Sequence, residues 1–150
     1  MYIAYESRRG RARRAAEAVA EAAASHGVAT LVRSINEAVP EDILAAPGLV
    51  VGCWTRVDTP FGGDPVRLVS KWIESLPELH GKPSGLFCTY TFFPHTFADT
   101  ATRTSEVLAL LSAGIENKGG KVVSSHSFHF QEFENSAKTL VDEVLDHMAV

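Results

Sequence analysis

The chain has 150 residues, 45% of them hydrophobic and 21% charged, with a formal net charge of −4. That size and composition fit one globular domain over residues 1–150 whose apolar core needs no metal or disulfide staple. The acidic balance gives no global field for nucleic acid, and no apolar run approaches the ~18 residues of a membrane helix. "MYIAY" is too short for a secretory signal and charge follows it at once, so a cytoplasmic protein is expected.

Tyr2–Tyr5 reads as a first short strand. A glycine turn follows, and Arg11–Ser25 reads as a helix whose Ala15, Ala16, Val19, Ala20 and Ala23 form a small-residue face. Gly27 stops it as a C-terminal cap. Val28–Val32 is predicted as the second strand, and Pro40–Ala45 as a short helix bounded by prolines. Leu49–Cys53 is a continuous apolar run, the pattern of a parallel strand covered on both faces. After the polar loop Trp54–Gly63, Asp64 is expected to cap a helix with Pro65 at its first position. The predicted core face of that helix is Leu68, Val69, Trp72, Ile73 and Leu76.

Ser84–Tyr90 is the fourth buried strand, and Thr89–Asp99 a second long loop. A helix over about 99–117 turns Val107, Leu108, Leu111 and Ile115 inward and ends at Gly119 and Gly120. Lys121–Phe130 alternates and is more polar, which suits an edge strand. Leu140, Val141, Val144, Leu145 and Met148 line a last helix. Strands separated by helices pair in parallel through right-handed crossovers. The prediction is an α/β, three-layer doubly wound sheet of five parallel strands in the order 2-1-3-4-5.

Ligands on such sheets sit beyond the strand C-termini. The loops Glu6–Ala12, Trp54–Gly63 and Thr89–Asp99 leave neighbouring strands there, and all three are expected to line one crevice. The first loop and the helix start after it carry Arg8, Arg9, Arg11, Arg13 and Arg14 around Gly10. Positive charge at a helix N-terminus is unfavourable by ~0.3–1 kcal/mol per group. Only Glu6 and Glu17 offset it locally, so an anionic ligand at Ser7–Arg11 is expected. Arg13 and Arg14 also read as a solvated helix face. The free amides of the helix start and guanidinium forks are both suited to phosphate.

The loop Tyr5-Glu6-Ser7-Arg8-Arg9-Gly10-Arg11-Ala12 resembles the phosphate loop of the flavodoxin family, and the fold-level resemblance covers nearly the whole chain. Ser7 and Gly10 match the family pattern. Arg9 and Ala12 replace its hydroxyl residues, and Arg11 replaces its asparagine. The resemblance implies flavin mononucleotide (FMN) as cofactor, with Ser7, Arg8, Arg9, Gly10, Arg11 and Ala12 around the phosphate. It implies Trp54 and Tyr90 against the flavin ring, with Thr55, Thr89, Thr91 and His95 beside them. It also implies electron transfer with a redox partner protein, or a small flavin oxidoreductase component. An arginine-rich site without the acidic character usual in this family should raise the flavin potential.

The alternative is a module of the same fold that has lost FMN and binds another phosphorylated ligand or an acidic partner through its arginines. A response-regulator-like pocket is discounted, because no paired aspartates follow the first strand and Cys53 ends the third. Trp54 also reads as core over the sheet end, Phe92 and Phe93 as packing, and His95 as a solvated loop residue. Cys53 and Cys88 end neighbouring strands. They could approach each other, but they read as small apolar filling. His126 and His129 point to opposite faces of one strand, which argues against a shared metal.

Overall fold

The computed structural model describes residues 1–8, 10–55, 64–90, 97–129 and 132–148, with residues 64 and 97–99 by their backbone alone. Strands and helices alternate: β1 (Tyr2–Glu6), α1 (Arg11–Ser25), β2 (Leu31–Ser34), α2 (Pro40–Ala45), β3 (Leu49–Trp54), α3 (Asp64–Glu74), β4 (Pro83–Tyr90), α4 (Phe97–Asn117), β5 (Lys121–His129) and α5 (Phe133–Leu145). Among the described residues the five strands form one sheet in the order β2-β1-β3-β4-β5, and every pairing is parallel. This is the predicted doubly wound order, with β5 at the border.

Two apolar layers cover the sheet. On one face Val66, Val69 and Ile73 of α3 and Val107, Leu111 and Ile115 of α4 pack on Tyr2, Ala4, Val51, Cys53, Leu86 and Cys88. On the other, Ala15, Ala16, Val19 and Ala23 of α1 and Leu140, Val141 and Val144 of α5 pack on Ile3, Val50, Phe87 and Phe128. The alanine face lets α1 lie close to the strands, as expected. α1 also ends as expected: Gly27 has φ +74°, its N–H donates to Ala24 O, and the Val28 N–H donates to Ala23 O.

Three sequence expectations shift. The second strand is Leu31–Ser34 rather than Val28–Val32, because the Val28 amide is already used by the helix cap. Leu68 is 52% exposed, and Val66 takes the place it was expected to fill in the core. α4 begins at Phe97, two residues before the expected start. The Asp64 side chain, which would make the expected cap, and Phe130, the expected end of the last strand, lie outside what the structure describes. No helix among the described residues is long and apolar enough to cross a membrane.

Candidate functional site

The strand ends that feed the three loops lie side by side. Glu6 is in register with Cys53, Trp54 is in register with Thr89, and the Thr55 N–H donates to Thr89 O at 3.0 Å. The parallel order therefore brings β1, β3 and β4 together at one end of the sheet.

At the end of β1 the chain turns on Gly10, whose φ of +87° lies in the left-handed region. Residues with a Cβ avoid that region, which is why glycine stands there. The Gly10 N–H donates to Ser7 Oγ at 3.0 Å, which closes the turn. An accepting serine hydroxyl keeps its own hydrogen to give elsewhere. α1 starts with no side-chain cap and no acidic residue in its first turn. The Ala12 and Arg13 amides are among the helix-start donors that intrahelical bonding leaves over. Ala12 itself is fully buried. A Cβ placed on Gly10 would meet nothing within 4 Å, so there is open space over the turn.

Arg8, Arg11, Arg13 and Arg14 are exposed. Arg13 Nε pairs with Glu17 Oε1 at 3.1 Å on the solvent side of α1. An exposed pair of that spacing contributes only ~0.3–0.5 kcal/mol. Arg14 borders an open groove with Glu17, Glu21, Glu132 and Glu134. The solvated reading of Arg13 and Arg14 thus agrees with their placement. Arg9 lies outside the described residues, as do Thr91 and His95 and the loop aromatics Phe92 and Phe93.

Trp54 ends β3, half-buried, and its indole Nε1 is buried with no hydrogen-bond partner. Thr55 Oγ1 next to it is likewise buried, and its hydroxyl reaches the Cys88 thiol and tempers the rise that burial gives that thiol. A buried donor left unsatisfied costs ~1–3 kcal/mol. The unpartnered indole N–H at the end of β3 is suited to a ligand with a hydrogen-bond acceptor. Thr89, the register partner of Trp54, is 2% exposed.

Tyr90 lies away from Trp54, toward the β5 border. Its ring meets His129 edge-on at 5.5 Å. It lines a cavity of about 330 Å³ with Thr100 and Thr104 of α4 and Ser127 of β5. Burial raises its phenol, and a hydrogen bond with Ser127 tempers the rise. The structure therefore brings Ser7, Gly10, Ala12, Trp54, Thr55 and Thr89 to one end of three adjacent strands, and places Tyr90 on the flank.

Two residues not counted from sequence among the candidate binding residues stand at this end of the sheet. His129 reaches the rim through its contact with Tyr90. Glu6 faces the same side of the sheet as Tyr2, Ala4 and Cys53, a placement its alternation along β1 would have shown. Burial raises the Glu6 carboxyl above its usual value. The native state then holds that proton more tightly than the unfolded chain, so Glu6 costs stability as pH rises through its folded pKa. Glu6→Gln is expected to raise the thermal midpoint at pH 7 and leave it unchanged near pH 4. Equal midpoints at pH 7 would remove this burial cost.

His126 and His129 do lie on opposite faces. His126 Nε2 pairs with Glu143 Oε1 of α5 at 3.2 Å, and His129 meets Tyr90. Among the described residues no group of three or more His, Cys, Asp or Glu side chains is placed to hold a metal.

No family model matches the sequence, and no curated protein matches it either. Solved structures do. Oxidised flavodoxin 1 from Bacillus cereus superposes with a TM-score of 0.74 at 14% identity, over 99% of this chain and 98% of that one. Oxidised flavodoxin 2 from Bacillus cereus gives 0.73 at 15% identity, over 97% of each chain. Two-electron reduced Megasphaera elsdenii flavodoxin gives 0.67 at 16% identity, over 94% of this chain and 98% of that one. Strand order, the glycine turn into the first helix and the span of these matches agree: by its fold, this chain is flavodoxin-like.

Proposed function

We propose that the chain binds FMN at the joined ends of β1, β3 and β4 and serves as an electron carrier for a partner protein. The observation that carries this reading is an uncapped helix start with open space over Gly10, at the sheet end where the buried Trp54 Nε1 has no hydrogen-bond partner. The neighbouring folds belong to flavodoxins studied in oxidised and two-electron reduced form, which supports a redox role.

In this reading Gly10 shapes the turn, and Ser7 holds it closed while keeping a hydrogen to donate. The amides of Ala12 and Arg13 supply neutral donors to the phosphate. Arg8 and Arg11, with Arg9 from the same loop, supply the charge that replaces the hydroxyl and amide side chains of the family pattern. Trp54 offers an aromatic face and an indole donor, and Thr55 a hydroxyl, with Thr89 in register beside Trp54. Tyr90 closes the β5 flank, with Thr91 and His95 following it in the loop. Bound FMN supplies one- and two-electron chemistry at its ring system. Positive charge at the rim favours the more negative, reduced state, so the potential should lie above that of acid-lined sites.

Titration of FMN with the protein tests the reading. Flavin fluorescence should be quenched at one flavin per chain, and the complex should be yellow. A colourless protein that leaves FMN fluorescence unchanged overturns it. Arg11→Ala should weaken binding about tenfold, the loss of one partly shielded charge-assisted contact. Added salt should narrow that difference. Unchanged affinity would take Arg11 out of the site.

A further inference from the structure

We propose that the cleft between α4 and β5 binds a neutral, polyhydroxylated small molecule the size of one sugar ring. The inference stands apart from the flavin reading. The cleft holds about 330 Å³, at the small end of the range for ligand sites. α4 lines it with Thr100, Thr104 and Ser105, β5 with Ser125 and Ser127, and β4 with Tyr90. Hydroxyl residues from three elements thus border one hollow.

This corner breaks with the rest of its layer. Further along the same helix Val107, Leu111 and Ile115 are fully buried against the sheet. Thr100 and Thr104 are 1% and 4% exposed, in places where larger apolar side chains would gain more from burial. Protein interiors are normally filled to crystal-like density, and this one is left hollow. Threonine and serine are also weak helix formers. Packing and helix propensity both favour other residues here, so the hydroxyls answer to something besides stability.

Hydroxyls then select the ligand, because each can give one hydrogen and accept at two lone pairs. Thr104 shares its hydrogen between Thr100 O at 3.0 Å and Ala101 O at 3.1 Å, which leaves its lone pairs to accept. Ser105 and Ser125 are exposed at the mouth and can do both. Neighbouring hydroxyls on a ligand, which also give and take, match this mixed set. Ala101 and Leu108 offer an apolar patch to the ligand's C–H face. No Lys, Arg, Asp or Glu lines the cleft among the described residues. Arg103 of α4 pairs with Glu106 at 3.0 Å, and His126, which borders the cleft, pairs with Glu143 of α5 at 3.2 Å. An ion would lose water there with no opposite charge to meet.

Proton–nitrogen correlation NMR of the purified chain, titrated with D-ribose and with D-glucose, tests this. FMN is left out, so the two readings fail separately. Amide signals of residues 100–108 and 125–127 should shift with at least one sugar and saturate below about 50 mM, as a site of millimolar affinity does. Gluconate and glucosamine, similar in outline but charged, should bind about tenfold more weakly. Ala101→Phe fills the cleft from an exposed helix position and should abolish the shifts. Ser125→Ala should weaken binding about threefold to tenfold, the loss of one hydrogen bond. Shifts that never saturate, or that spread evenly over the surface, are the general effect of an excluded solute and would overturn the proposal. So would unmoved signals with both sugars, or equal binding of the charged analogues. If Ala101→Phe fails to fold, the affinity of Ser125→Ala decides.

Discussion

Gly52→Ala should lower the thermal midpoint by about 6–12 °C, near the top of the range for overpacking a core. Gly52 and Phe87 are register partners on β3 and β4. A Cβ on Gly52 would fall 2.0 Å from Phe87 Cζ and 2.3 Å from both Cε atoms. Rotating the ring about its own axis leaves Cζ where it is, so the side chain or the strand must move. The ring is fully buried and stacked on Phe128 at 4.9 Å, so it has nowhere close to go. Forcing an extra carbon into a filled core costs about 1–3 kcal/mol, and at this length each kcal/mol is worth about 2–4 °C. Adding Phe87→Leu should recover part of the loss, because the two sites share one space. An unchanged midpoint in the single variant would mean that the Phe87 ring does not rest on Gly52.

Gly10→Val should remove FMN binding while leaving the chain folded. The space over Gly10 is open, so the penalty is conformational rather than a clash. Its φ of +87° is one that a β-branched residue resists, at ~1–2 kcal/mol or more. The relaxed turn would swing the Gly10 N–H away from Ser7 Oγ and re-aim the first amides of α1. Fold stability should fall modestly, by a few degrees, and FMN affinity by at least a hundredfold. Gly10→Ala should lie between. Circular dichroism and flavin fluorescence measured together separate the two effects. A valine variant that binds FMN normally would place the phosphate elsewhere.

The sheet order was legible because every apolar run is separated from the next by a helical stretch, which leaves few parallel topologies. Gly10 was legible for a similar reason: a glycine between a strand and a helix has one common use. The α3 core face was legible but for one position. Val69, Ile73 and Leu76 are buried and Trp72 packs against them, while Leu68 faces out and Val66 is buried instead. Only docking on the sheet decides between those two. The second strand was misplaced because Arg33 and Ser34 look like loop, although an edge position tolerates them. The pairing of Cys53 with Cys88 needs the β3–β4 register, which alternation within one strand does not give. Tyr90 shares a face with Cys88 by simple parity, yet its contact with His129 depends on where β5 ends.

The all-parallel ladder also has a kinetic consequence. Tyr2 pairs with Leu31 and Leu49, Leu49 with Ser84, and Pro83 with Lys121. Each pairing encloses roughly 30–50 residues, so no hairpin is available to start the sheet cheaply. The entropy of those closures falls due before any ladder rewards it. Refolding from denaturant should therefore run over milliseconds to seconds, with helices forming ahead of the strands they connect.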